Sequence, residues 1–193
     1  MRTQTIIIIS VVVFMLIALG ALLYFLLKPK ATAKNTKKYE IKNVIDQLPK
    51  HSSKTYRKRA VGDIRKIVLH HSACIGGNCN AAAYATYHVN SRGWAGIGYH
   101  YVIEKDGTIK QCNHDTSISA HCAGQNSNSL GVSLSGDFTK EPLTDTQKLP
   151  LIWLLRHLRT QYGDLELTQH KDFSPTACPG QVDFPQLKKN VME

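Results

Sequence analysis

No charged residue and no proline interrupts the chain from Ile6 to Leu27. That absence excludes a solvated surface helix, and the missing polar stripe argues against a helix half-buried in a globular core. At about 1.5 Å per residue the run reaches roughly 33 Å, enough to cross a bilayer core. Cleaved signal peptides carry shorter apolar runs, about 7–15 residues. Ala31-Thr32-Ala33 has the small residues of a cleavage site, but Lys28-Pro29-Lys30 separates it from the run. The pattern favours an uncleaved transmembrane helix over residues 6–27, behind a short tail at 1–5.

Acidic residues are also scarce: 14 Asp and Glu face 24 Lys and Arg, a formal net charge of +10. The excess is local. Between Lys28 and Lys66, thirteen basic residues meet only Glu40, Asp46 and Asp63, whereas from Ile67 onward ten basic residues meet eleven acidic ones. The basic stretch lacks interleaved aromatics and any nucleic-acid-binding motif, so nucleic acid is not an expected partner. It suits an anionic lipid surface or wall polymer, and equally a solvated linker; both readings are open. Lys28, Lys30, Lys34, Lys37 and Lys38 outweigh Arg2 across the apolar run. The positive-inside rule then points to a cytoplasmic domain; the site chemistry below argues for the opposite, extracytoplasmic side.

Residues 28–38 read as a basic tether and residues 39–193 as one domain without internal repeats. Val44, Ile45 and Leu48 form a short apolar face closed by Pro49. Lys66 to Ser72 is a β-branched strand, and Asn80 to Ser91 an alanine-rich helix stopped at Gly93. Tyr99–Glu104 and Thr108–Cys112 flank Asp106-Gly107, a hairpin signal. Ser129 to Ser135 is a further strand. Thr144 and Gln147 make a capping-box pattern before an apolar-periodic stretch that ends near Gly163. Pro150 inside it predicts a kink or a later start. Leu165 to Gln169 is a last short strand. The alternation predicts an α/β fold, a three-layer domain with a central mixed β-sheet flanked by helices.

His70 ends the first strand, His170 follows the last, and Cys178 lies eight residues on, in a loop bracketed by Pro175 and Pro179. A catalytic zinc takes three such ligands and keeps one position open. A rival set, His70, His71, Cys74 and Cys79, would make a closed structural site. Against it, Cys74 and Cys79 read as a small disulfide, which an exported domain permits. Cys112 and Cys122 are candidates for a second pair.

Several motifs in order resemble the zinc N-acetylmuramoyl-L-alanine amidases of the bacteriophage lysozyme and peptidoglycan recognition protein family. They are Ile67-Val-Leu-His-His-Ser-Ala73, Arg92-Gly-Trp-Ala-Gly-Ile-Gly-Tyr-His-Tyr-Val-Ile103, Asp106-Gly-Thr-Ile109, Ala120-His-Cys-Ala-Gly-Gln-Asn-Ser-Asn-Ser-Leu-Gly-Val132 and His170 to Pro179. The likeness runs from about Ile64 to Phe184. It implies a zinc ion on His70, His170 and Cys178, with Tyr99 as the catalytic tyrosine. It also implies a catalytic role for Thr176, at a position that is lysine in some relatives and threonine in others, so that a neutral hydroxyl stands where the phage pattern has a charge. His121 and Asn128 match positions near the substrate groove, and Trp94 either stacks on sugar or pins its loop. His71 and His100 read as packed residues, and His88 as structural. The implied reaction is zinc-assisted hydrolysis of the amide between N-acetylmuramic acid and L-alanine in peptidoglycan. Relatives of this fold that bind the wall without cutting it supply the alternative, a recognition module. The expected partners are peptidoglycan and, through the anchor, the membrane; the expected state is a monomer.

Overall fold

In the sheet, Leu130, Val132 and Leu134 point to one face while Ser129, Gly131 and Ser133 alternate to the other. This asymmetry sets the layout of the domain: one face is a large apolar core, and the other leaves room for polar side chains. The structure is a computed structural model that describes residues 39–193. The membrane helix expected over 6–27 and the tether over 28–38 lie outside the described residues. Among the described residues no helix is long and apolar enough to cross a membrane.

Six strands form one sheet: β1 (Ile41–Asn43), β2 (Lys66–His71), β3 (Tyr101–Ile103), β4 (Ile109–Gln111), β5 (Ser129–Leu134) and β6 (Glu166–Gln169). Their order is β1-β4-β3-β5-β2-β6. β3 and β4 pair antiparallel around the Asp106-Gly107 turn, and all other pairs are parallel, so the sheet is mixed as the sequence predicts. β2 lies between β5 and the edge strand β6, with His70 in register with Ser133.

Among the described residues three α-helices cover the two faces: α1 (Ala81–Asn90), α2 (Asp145–Tyr162) and α3 (Phe184–Met192). Leu151, Leu154, Leu155 and Leu158 of α2 follow the i, i+3, i+4, i+7 spacing of one helical face. With Phe184, Leu187 and Val191 of α3 they pack on Ile67, Leu69, Tyr101, Ile103 and the leucines of β5. On the other face Ala81, Tyr84 and Ala85 of α1 pack on Val102, Ile97, Cys112 and Leu48. The alanines let the helix lie close to the sheet.

Two local expectations need correction. Thr144 is the N-cap of α2, but its side chain makes no cap hydrogen bond. Gln147 turns inward instead, and its Nε2 donates to the carbonyls of Ile103 at 3.3 Å and Ser135 at 2.9 Å. Those buried acceptors outweigh a capping role that solvent can fill. Pro150 does not delay α2, which starts at Asp145 and passes through it. Proline has no N–H to give the Thr146 carbonyl. That carbonyl faces Gly107 (φ +84°), where a β-carbon would lie 2.3 Å from it. Helix α3 has no counterpart in the sequence-based elements. Its signal was present in the Asp183 cap, whose carboxylate accepts from the Gln186 N–H at 3.0 Å, and in the Phe184, Leu187, Val191 spacing.

Candidate active site

β2 carries His70 on the face opposite the large core, near the C-terminal end of the strand. β6 runs directly into a 3₁₀ turn, His170–Asp172, that begins with the second histidine. The Asp172 carboxylate accepts from the Gln169 N–H at 2.8 Å and fixes that turn. The loop that follows returns Cys178 to the same place: the Lys171 N–H donates to the Cys178 carbonyl at 3.0 Å. The Thr176 hydroxyl accepts the Cys178 N–H at 3.2 Å.

Ligand atoms of His70, His170 and Cys178 all lie within 4.8 Å of one another. The Cys178 sulfur is 3.8 Å from Nδ1 of His70 and accepts the His71 N–H at 3.2 Å. The His70 and His170 rings are 4.6 Å apart, and Tyr99 stands 5.4 Å from His70. Together with His71, Ala73, Trp94, Ala120, His121 and Thr176 they line a cavity of about 260 Å³.

Burial, reinforced by the facing His170, holds His70 well below the ordinary histidine value. Burial lowers His170 as well. Both imidazoles are therefore neutral lone-pair donors. Burial also pushes the Cys178 thiol up to about 11, against the pull of the His71 N–H. A buried thiol between two neutral imidazoles ionises readily only when a cation replaces its proton. Two nitrogens and one sulfur at this spacing fit a zinc ion with one position left open.

The other candidates divide. Tyr99 reaches the cavity on a segment held by Asn113, whose Nδ2 donates to the carbonyls of Ile97 at 2.7 Å and Tyr99 at 2.8 Å. Burial raises the Tyr99 phenol, so it is a proton-bearing hydroxyl. Thr176 is exposed at the rim, its oxygen engaged by Cys178. Trp94 stacks on His88 at 4.6 Å, with Arg92 5.6 Å from its ring, so it both lines the cavity and pins its loop. Asn128 is not in the cavity lining; its carbonyl receives the N–H groups of Arg65 and Lys66 at the far end of β2. His71 turns its Nδ1 to the Phe138 N–H at 3.1 Å.

Cys74 and Cys79 form a disulfide, which removes the rival metal set. Cys112 and Cys122 are free and buried rather than a second pair. Sequence reasoning missed the small face of β5. The alternation of Ser129, Gly131 and Ser133 with apolar residues was its only signal.

The N-acetylmuramoyl-L-alanine amidase family profile matches residues 60–181. The chain is 38% identical over 93 residues to an endolysin of Klebsiella phage KP32, covering 46% of this chain and 62% of that protein. It therefore spans less than two thirds of the phage endolysin it matches. Peptidoglycan-recognition protein SC2 of Drosophila melanogaster is 31% identical over 132 residues, 63% of this chain and 71% of that protein. Among solved structures, the N-acetylmuramoyl-L-alanine amidase LysC from Clostridium intestinale URNW superposes with a TM-score of 0.66 at 31% identity, covering 79% of this chain and 97% of that one. The Ph2119 endolysin from a Thermus scotoductus bacteriophage gives 0.69 at 26% identity, covering 79% and 99%. This chain belongs to the N-acetylmuramoyl-L-alanine amidase family.

Proposed function

We propose that the chain is a zinc-dependent peptidoglycan hydrolase that cleaves the amide between N-acetylmuramic acid and the L-alanine of the stem peptide. The observation that carries this reading is the donor set of His70, His170 and Cys178 in one cavity with Tyr99. A zinc ion held there supplies Lewis acidity and makes water nucleophilic near neutral pH. The protein's own groups do the rest. His70, His170 and Cys178 would hold the ion. The Tyr99 hydroxyl, kept protonated by burial, donates to the lactyl carbonyl oxygen as negative charge develops on it. Thr176 keeps its hydroxyl proton free for the same oxygen, because its lone pair already takes the Cys178 N–H. Water adds to the carbonyl carbon, the C–N bond breaks, and the products are a muramic carboxylate and a free L-alanine amine.

The reading puts the domain where peptidoglycan lies, outside the membrane, with residues 6–27 as its anchor. The Cys74–Cys79 disulfide supports an oxidising compartment. The test is release of free stem peptide from purified peptidoglycan by the full chain, with and without a chelator. We expect chelator-sensitive release that Cys178→Ser abolishes. Wall binding without release, even with zinc added, would instead make the chain a recognition module.

A further inference from the structure

His121 was a candidate for the substrate groove, yet both of its ring nitrogens are engaged inside the protein. Its Nδ1 is 3.1 Å from Nε2 of His70, and its Nε2 is 3.2 Å from the Ser129 hydroxyl. The Ser129 hydroxyl in turn lies 2.6 Å from the Gln125 carbonyl.

The direction of this chain follows from its last member. A carbonyl can only accept, so the single Ser129 proton goes to Gln125. Ser129 must then accept from His121, whose proton sits on Nε2. The neutral His121 ring has only a lone pair left on Nδ1, so His70 must be the donor, from Nε2. A neutral His70 that carries its proton on Nε2 has a bare lone pair on Nδ1. That is the atom 3.8 Å from the Cys178 sulfur.

The His121 ring is also held mechanically. It stands perpendicular to His70, at 87° and 5.2 Å between centroids, and nearly so to His100 at 5.7 Å. Its backbone is fixed by Asn126, whose Oδ1 accepts the N–H groups of His121 at 3.0 Å and Cys122 at 2.8 Å. The ring lies directly over Gly131. His121 is buried, at 7% exposure, although it contributes to the cavity lining.

We infer that His121, backed by Ser129 and the Gln125 carbonyl, is a positioning residue that presets the tautomer and orientation of His70 for metal ligation through Nδ1. This rests on the metal reading proposed above. It goes further in making the fold select the ligating nitrogen before an ion arrives. Outer partners of this kind change metal affinity by about 10–100-fold when removed.

The experiment uses the full chain with two readouts. The first is zinc and cobalt(II) affinity, by competition against a chromophoric chelator, together with the visible spectrum of the cobalt form. The second is the imidazole ¹⁵N signature of His70 in the metal-free protein. In the unaltered chain His70 should be the Nε2–H tautomer. His121→Leu should weaken metal binding by about 10–100-fold, alter the cobalt spectrum and mix the His70 tautomers. His121→Asn places an amide oxygen where Nδ1 was and should recover most of the affinity. Ser129→Ala should give a smaller loss than His121→Leu, and it carries the test if His121→Leu fails to fold. If the unaltered chain binds neither zinc nor cobalt, the metal reading falls, while the ¹⁵N signature still tests the tautomer. If it binds metal, and His121→Leu or Ser129→Ala leaves both affinity and tautomer unchanged, the role of His121 is overturned and the metal reading stands.

Discussion

A β-carbon on Gly131 would lie 2.5 Å from Cγ of His121, closer than two carbons can approach. Gly131 sits in the middle of β5, where glycine lowers strand stability. Its presence there is explained by the ring above it. Gly131→Ala must push His121 away, because the strand backbone is locked between β2 and β3. We expect a loss of about 1–3 kcal/mol in urea unfolding, in line with overpacking of a tight interior. The same variant should weaken zinc binding in a chelator competition. Unchanged stability and affinity would mean that the ring has free space to move.

Tyr99→Phe removes one hydroxyl and leaves the ring against His70 and His88. If that hydroxyl donates to the reacting carbonyl, kcat should fall on the order of 10²–10³ with little change in KM. The melting temperature should move little, since no packing is lost. A kcat within about twofold of the unaltered chain would remove Tyr99 from the chemistry.

Acid should destabilise the domain through His100. Its Nδ1 accepts the Gly131 N–H at 2.9 Å, and its Nε2 faces the Ser117 carbonyl at 2.9 Å. Burial, with Arg59 adjacent, lowers its pKa to about 3. The folded value is below the unfolded one of about 6.5, so the unfolded chain binds the extra proton first. The contribution of His100 is therefore complete above about pH 6.5 and is lost as pH falls toward 3, by on the order of 1 kcal/mol per pH unit. Urea unfolding from pH 7 to pH 4 should show this slope, and His100→Gln should flatten it. An unchanged slope in the variant would assign the acid sensitivity to other groups.

The Cys74–Cys79 disulfide closes a short loop, with a sequence separation of 5, next to the cavity rim at Ala73. Loop-closure entropy gives such a small ring about 2 kcal/mol. Replacing both cysteines by serine should lower the melting temperature by roughly 4–8 °C. Zinc affinity should persist, because neither residue belongs to the donor set. Loss of metal binding in that double variant would revive the structural-site alternative.

Much of the architecture was legible in short-range pattern. The β-branched run at 66–71, the Asp106-Gly107 turn and the α2 leucine spacing each report a local period, and each became the element it predicts. Helix α3 escaped because its Asp183 cap and three-residue apolar spacing are weak over nine residues. Gln147 was misassigned because a capping box and an inward amide look identical in sequence. Only the position of the Ile103 and Ser135 carbonyls distinguishes them.

The chain order of His70, His170 and Cys178 and the motifs around them determined the family and the donor types, since side-chain chemistry is written residue by residue. What the tertiary structure decided is how those groups are aimed. Parallel pairing of β2 with β5 and β6 brings donor atoms of residues a hundred positions apart within 4.8 Å of one another. It also sets His121, which lines the cavity, within hydrogen-bond distance of His70, while Asn128 is not part of that lining. Hydrogen-bond direction depends on which donor meets which acceptor across the sheet, and no local period in a sequence carries that information.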